Sequence, residues 1–171
     1  LGVYSNSPTK ERLANHNRMK AFLKVGKSVS FPLDVPQYLS SINRTEASAA
    51  DAEAKLTLPK DQILHAQFWF IKTTPLDEVA FNHLFAGEIE KAEEIWQKRE
   101  CLSALQNRIV CALIRNGYDS AIMCAEVLYG NTQYLNQFVS TIIGTGGNFD
   151  VSNLAFSFLD ILCDEIGASK L

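Results

Sequence analysis

No stretch of this chain approaches the roughly 18 uncharged apolar residues in a row that a helix needs to cross a bilayer. Nor does any segment sustain the apolar–polar alternation of a half-buried strand. The first absence predicts a soluble segment and the second argues against a sheet. Glycine and proline are sparse, at 9 and 5 of 171 residues, which excludes collagenous and low-complexity architectures. The four cysteines, Cys101, Cys111, Cys124 and Cys163, contain no CxxC pair, so neither a zinc knuckle nor a thioredoxin-type motif is present. The three histidines, His16, His65 and His83, are dispersed, and no HExxH or paired-carboxylate helix accompanies them. Gly144-Thr145-Gly146-Gly147 lacks the lysine of a phosphate loop and reads as a connector. No motif here supplies a reaction, and the expectation is a non-enzymatic chain without metal or cofactor.

The remaining composition is that of an ordinary globular protein, 47% hydrophobic and 20% charged. At about 150 residues per domain, its length fits one domain or a compact pair. Each cysteine lies in an apolar helical pattern, such as Arg108-Ile109-Val110-Cys111-Ala112-Leu113-Ile114. Buried free thiols in a reducing cytoplasm account for this best, and no signal peptide is visible, so cytoplasm is the expected compartment.

The net charge of -3 hides an asymmetry. Residues 1–44 hold seven Lys/Arg against two Asp/Glu, a balance of +5, while residues 45–171 hold nine against seventeen, a balance of -8. Two readings of the basic leading segment stand: a surface with its own partner, or one helix with a solvated basic face. Nucleic acid is not the expected partner, because the body is acidic and the basic residues lack interleaved aromatics or Gly-rich loops.

Helix punctuation runs nearly throughout. Ser7-Pro8 predicts an N-cap with proline in the first turn of a helix that stops at Gly26. Two prolines in Phe31-Pro32-Leu33-Asp34-Val35-Pro36 forbid a continuing helix, so residues 27–44 are read as an irregular connection with a turn near Gln37–Leu39. Thr45 caps an alanine-rich helix to about Leu56, and Pro59 opens the next. That helix is expected to carry Phe68-Trp69-Phe70-Ile71, which would point all round it and make it the most buried. Thr74-Pro75-Leu76-Asp77 is a capping box opening a helix to Gly87. Helices over about 88–99, 101–116, 119–129 and 132–143 follow, with Gly117, Gly130 and Gly144 as stops, and Ser152 caps a last helix to about Ile166. Trp69 and Trp96 are placed in the core. Glu88, Glu90, Glu93 and Glu94 form a charge run at a helix start, which the macrodipole favours.

Residues 82–96 and 111–125 share one grammar: an apolar helix end, a glycine, a short polar turn, then an alanine that opens the next apolar face. From Gly87 to Gly117 the offset is 30 positions. The pattern L-x-x-x-G-x-x-x-x-A resembles the tetratricopeptide repeat, met loosely and at shorter spacing than that family's 34 residues. What the resemblance implies is a right-handed stack of antiparallel hairpins that binds peptides or partner helices.

Leu1-Gly2-Val3, Ser7-Pro8-Thr9-Lys10-Glu11 and Asn17-Arg18-Met19-Lys20-Ala21-Phe22 together resemble the opening of a J-domain. On a helical wheel Lys10, Arg12, Lys20, Lys24 and Lys27 fall on one side with Leu13 and Leu23, and Ala14, Met19, Ala21, Phe22 and Val25 on the other, with Arg18 the exception among them. In that family the basic second helix docks on an acidic surface of the heat-shock ATPase chaperone, a role the resemblance would give to Lys20, Lys24 and Lys27. The family's His-Pro-Asp tripeptide is absent: the corresponding stretch, Lys27 to Asp34, has proline and aspartate but no histidine. Over its whole length the chain is similar to an uncharacterised bacterial family of J-like proteins that carry the A-Q-F-W-F segment, here Ala66 to Phe70.

Together these readings divide the chain into a J-like helix with its connection, residues 1–44, and a helical hairpin domain, residues 45–171. They predict an all-α, tetratricopeptide-like array that works as a protein–protein interaction module, a chaperone-associated adaptor that makes no contact with a membrane. The alternative is a purely structural segment of a larger protein. Far-ultraviolet circular dichroism is expected to report mostly helix, and strand content above about one fifth, near the mixed-fold average, would defeat the all-α reading.

Overall fold

Caps and prolines place the helix starts as the sequence suggests. The computed structural model describes residues 1–167, and within them helices α1 (Thr9–Lys24), α2 (Glu46–Ala54), α3 (Pro59–Ala66), α4 (Pro75–Phe85), α5 (Ile89–Gln97), α6 (Leu102–Ile114), α7 (Tyr118–Tyr129), α8 (Thr132–Ile143) and α9 (Leu154–Ile166) follow in order. A short 3-10 turn, Pro32–Asp34, lies between α1 and α2, and no strand occurs among the described residues. The fold is all-helical.

Thr74 caps α4 as expected: its Oγ1 accepts the Asp77 N–H at 3.3 Å, and Asp77 Oδ2 accepts the Thr73 and Thr74 N–H groups at 2.9 and 2.8 Å. Thr45 and Ser48 form a reciprocal box at the start of α2. Two starts differ from expectation. Pro8, with extended backbone, is itself the cap of α1, while Ser7 Oγ turns back to accept the Tyr4 N–H at 3.1 Å. Asn153, not Ser152, precedes α9.

The helix expected to hold Phe68 to Ile71 ends earlier. After Ala66 the chain turns through residues 67–69 and runs on without regular structure over 70–73. Its neighbouring side chains Phe70 and Ile71 enter two different cores. Phe70 joins Ala80, Phe81, Leu84, Ile89, Ala92 and Trp96. Ile71 joins Ile63, Leu105, Ile109, Leu128, Phe138 and Phe158. Both are fully buried, while Phe68 and Trp69 are half-buried.

The most enclosed helix is α6, which feeds both cores: Leu102, Leu105 and Ile109 face one, Ala104, Val110 and Cys111 the other. It also buries Gln106 and Asn107. These amides serve the crossing segment, which has no neighbouring strand to bond with. Asn107 Nδ2 donates to the Ile71 carbonyl at 2.9 Å, and its Oδ1 accepts the Ile71 N–H at 3.0 Å. Gln106 Nε2 donates to the carbonyls of Ala66, Gln67 and Trp69 at 3.0–3.1 Å. Asn6 holds the N–H and carbonyl of Lys72 at 3.0 and 2.7 Å, and Ser5 N–H reaches the Phe70 carbonyl at 2.9 Å. Side chains thus do for residues 66–72 what a sheet would otherwise do.

α4 packs against α5, α5 against α6, α6 against α7, and α7 against α8. The two hairpin turns repeat the same backbone hydrogen bonds, but not at the offset of 30. In the first, Gly87 takes the left-handed conformation (φ 81°) and Glu88 N–H bonds the His83 carbonyl at 2.9 Å. In the second that conformation falls on Asn116 (φ 56°), and Gly117 N–H bonds the Ala112 carbonyl at 2.8 Å. Gly87 therefore corresponds to Asn116, 29 positions on, and Gly117 precedes α7 as Glu88 precedes α5. At that offset Ala92 and Ala121 coincide, and both are fully buried. Asparagine tolerates the left-handed region well enough to stop a helix, which is why a glycine-to-glycine count misplaced the stop by one. α3 packs on α8 and α9, far along the chain.

At the N-terminal end α1 packs against α2 over a small core of Met19, Phe31 and Ala49. These contacts cross residues 44 and 45. Gly2 is left-handed (φ 67°) and lies so close to the Phe31 ring that a Cβ there would collide with it. The irregular connection packs down too: Leu33 and Val35 enter the core around Phe81.

Asn107→Leu keeps the volume but strands the buried N–H and carbonyl of Ile71. At about 1–3 kcal/mol for each orphaned group, equilibrium denaturation should register a loss of about 2–5 kcal/mol. A loss below about 1 kcal/mol would mean that other groups satisfy that peptide.

Candidate interaction surface

α1 turns inward a narrower stripe than its wheel suggests. Arg12, Asn15, His16, Met19 and Leu23, at helical spacing, face α2 or the N-terminal segment, and of these Met19 is fully buried. Ala14, Ala21, Phe22 and Val25, expected on the apolar inner side, are exposed, and Val25 is 68% exposed. The reason lies in the partner. Glu53 on α2 draws Arg12 inward, Nε to Oε1 at 3.0 Å, with His16 Nδ1 3.8 Å from its other oxygen. A short, alanine-rich α2 leaves no room for a broad apolar face.

Two of the basic residues of the leading segment are thereby used in folding. Arg12 pairs with Glu53, and Arg44 grips Asp34 through both nitrogens at 2.8 and 2.5 Å while lying over the Phe31 ring. Burial pushes the Asp34 carboxyl up, but the hydrogen bonds from Arg44 and the Phe31 N–H outweigh it and hold the group below its usual range. Asp34 is thus a structural clasp. Lys20, Lys24 and Lys27 are exposed, and none forms an ion pair among the described residues. Leu13, Asn17, Lys20 and Lys24 follow i, i+4, i+7, i+11 as one outward stripe.

A cleft of about 450 Å³ opens between residues 1–7, α2 and α3. Its cations are already neutralised: Arg12 by Glu53, Arg44 by Asp34, and Lys55 by Asp51 at 2.9 Å. Several titratable groups away from the cleft are likewise paired. His83 Nδ1 lies 2.7 Å from Glu88, which also takes Lys91 at 2.5 Å, and the hydrogen bonds from Lys91 and His83 hold Glu88 below the usual carboxylate range. Glu90 and Glu93 meet Arg115. Asp77 is buried and accepts the Trp96 indole N–H at 2.9 Å, a contact that fixes Trp96 fully inside the core. No cluster of three or more His, Cys, Asp or Glu positioned to hold a metal occurs among the described residues, and no helix there is long and apolar enough to cross a membrane.

The polar residues with the largest structural consequence, Gln67, Gln106 and Asn107, were missed in the sequence. Gln67 Nε2 reaches the Leu154 carbonyl at 2.8 Å and the Tyr129 hydroxyl at 3.0 Å, and burial pushes that phenol up. A Gln-Asn pair inside an otherwise apolar helical run was the available signal.

No family model, curated protein or solved structure matches the chain.

Burial raises the Cys111 thiol strongly and the Cys124 thiol as well, whereas Cys101 and Cys163 are half-buried. Because the thiolate is the reactive form, a thiol reagent at neutral pH should label Cys101 and Cys163 first and Cys111 last. Rapid labelling of Cys111 in the folded protein would show that α6 does not sit between the two cores.

Proposed function

We propose that the chain is a non-enzymatic protein–protein interaction module that docks an acidic protein surface through α1. Lys20, Lys24 and Lys27 are the contact cations and Leu13 is an apolar anchor among them. The observation that carries this reading is the division of labour among the basic residues. Arg12 and Arg44 are committed to internal carboxylates, while the three lysines stand outward without one. Exposed cations that stabilise nothing internally are available to steer and orient a partner.

In the J-like reading that partner is a heat-shock ATPase chaperone, and the protein is an adaptor that binds it without driving its ATPase. The missing histidine of the tripeptide and the locking of Asp34 by Arg44 both favour binding without stimulation. The α4–α5 and α6–α7 pairs are read as tetratricopeptide-like hairpins, a reading supported by their matched turns and by the coincidence of Ala92 with Ala121. The contacts of α3 with α8 and α9 make the array closed at that end, unlike a strictly linear stack in which each unit touches only its neighbours.

Calorimetric titration of the chaperone ATPase into the chain should give weak binding. It should weaken strongly as salt rises from about 50 to 300 mM, because the Debye length shrinks over that range. A triple Lys→Glu change at 20, 24 and 27 should abolish the signal with the helical spectrum intact. Binding that ignores both salt and the triple change would remove α1 as the docking surface. Stimulated ATP hydrolysis would remove the adaptor reading.

A further inference from the structure

Charge is segregated more sharply than the two segments suggest. Residues 116–169 contain no lysine or arginine but six carboxylates, Asp119, Glu126, Asp150, Asp160, Asp164 and Glu165. The same region carries five exposed large apolar side chains. On α7, Met123 and Val127 are 67% and 45% exposed, and on α9, which packs against it, Phe156 and Leu159 are 70% and 45% exposed. Asp119 and Glu126 on α7 and Asp160 on α9 are exposed as well. α9 buries Leu154, Phe158 and Leu162 on one side and turns Phe156, Leu159 and Ile166 to solvent on another. A helix with apolar residues on both sides is ordinarily covered on both.

The outer face of α1 is the complement. It pairs an apolar side chain with charge of the opposite sign: Leu13, exposed at 45%, shares one stripe with Lys20 and Lys24, and Lys27 follows just past the helix end. We infer that a second copy of this chain is the partner, the α7–α9 face of one copy seating on α1 of the next. The inference rests on the reading of α1 as a docking surface and names its occupant. In this contact Asp119, Glu126 and Asp160 oppose the lysines, while the apolar side chains of both faces leave water together. Pairing α9 with α9 would set carboxylate against carboxylate, and pairing α1 with α1 would set lysine against lysine. Like charges facing across an interface penalise both symmetric arrangements, so the contact is head to tail. Such a contact leaves one free face at each end, and it therefore propagates or closes into a ring.

Sedimentation velocity of the full chain at low salt should show a weight-average mass that rises with concentration above the 19.0 kDa monomer. It should fall back toward the monomer at about 0.5 M salt, where charge pairs are screened within about 4 Å. Two double variants separate the faces: Phe156→Asp with Leu159→Asp, and Lys20→Glu with Lys24→Glu. All four positions are exposed, so both proteins should keep the helical spectrum. Each alone should stay monomeric, and an equal mixture should form a species of two chains and nothing larger, because each supplies one intact face. Wild-type protein that remains at the monomer mass up to about 200 μM, well above ordinary μM affinities, overturns the inference. So does a lysine variant that still associates alone, since that contact would be symmetric. Loss of chaperone binding in the lysine variant while the wild type stays monomeric defeats the second copy but spares α1 as a docking surface. A two-chain mixture without chaperone binding upholds the second copy and dismisses the chaperone.

Discussion

A non-helical segment buried in a helical protein must satisfy its peptide groups without a sheet, and from the end of α3 to Lys72 the chain does so chiefly through side-chain amides. Asn107 holds Ile71, Asn6 holds Lys72, and Gln106 gathers three carbonyls at the end of α3. Two protons on Gln106 Nε2 serve three acceptors, so at least one is shared. Its own Oε1 is buried without a partner, as is that of Gln67. A buried carbonyl without a donor is costly, and both are held by the bonds their Nε2 groups make on the other side of the same amide. Because Phe70 and Ile71 leave this segment for different cores, its position sets where both cores meet.

The geometry of α6 follows from that constraint. A helix flanked by two cores needs apolar residues nearly all round, with polar groups only where the crossing backbone passes. Leu102 to Ala112 meets this requirement, with Gln106 and Asn107 at the passage. Asp77 plays a comparable part at α4. One carboxylate caps the helix with Oδ2 and anchors the Trp96 indole with Oδ1, joining a local stop signal to the centre of the second core. Phe81 then meets Phe70 and Trp96 edge-on, with ring centroids at 5.4 and 5.2 Å.

The same economy explains the leading segment. Sequence alone counts seven cations in this segment and puts five of them on one side of a helix, but folding divides them. Arginines with carboxylates in reach make bidentate or buried pairs, as Arg44 does with Asp34, and this suits the planar guanidinium. The lysines, strongly hydrated and long, remain in water. The basic surface is therefore smaller than the count implies, with Lys20 and Lys24 on one stripe of α1 and Lys27 just past its end.

By itself the sequence determined the helical class, nearly every helix start and the pairing of α4 with α5 and α6 with α7. These depend on caps, prolines and 3.6-residue periodicity, all local quantities. It also placed Trp96 and Cys111 inside. Only tertiary structure decided that Phe68 to Ile71 leave the helix and that Phe22 and Val25 face outward. Both turn on a distant partner, Asn107 for Ile71 and Glu53 on α2 for the inward rotation of α1. The stop of the second hairpin is local, set by the left-handed Asn116 and the Gly117 N–H on the Ala112 carbonyl. An apolar run is compatible with a buried helix or a buried non-helical crossing. What separates them is whether another part of the chain supplies hydrogen bonds to the peptide groups, and that is known only once the chain has folded.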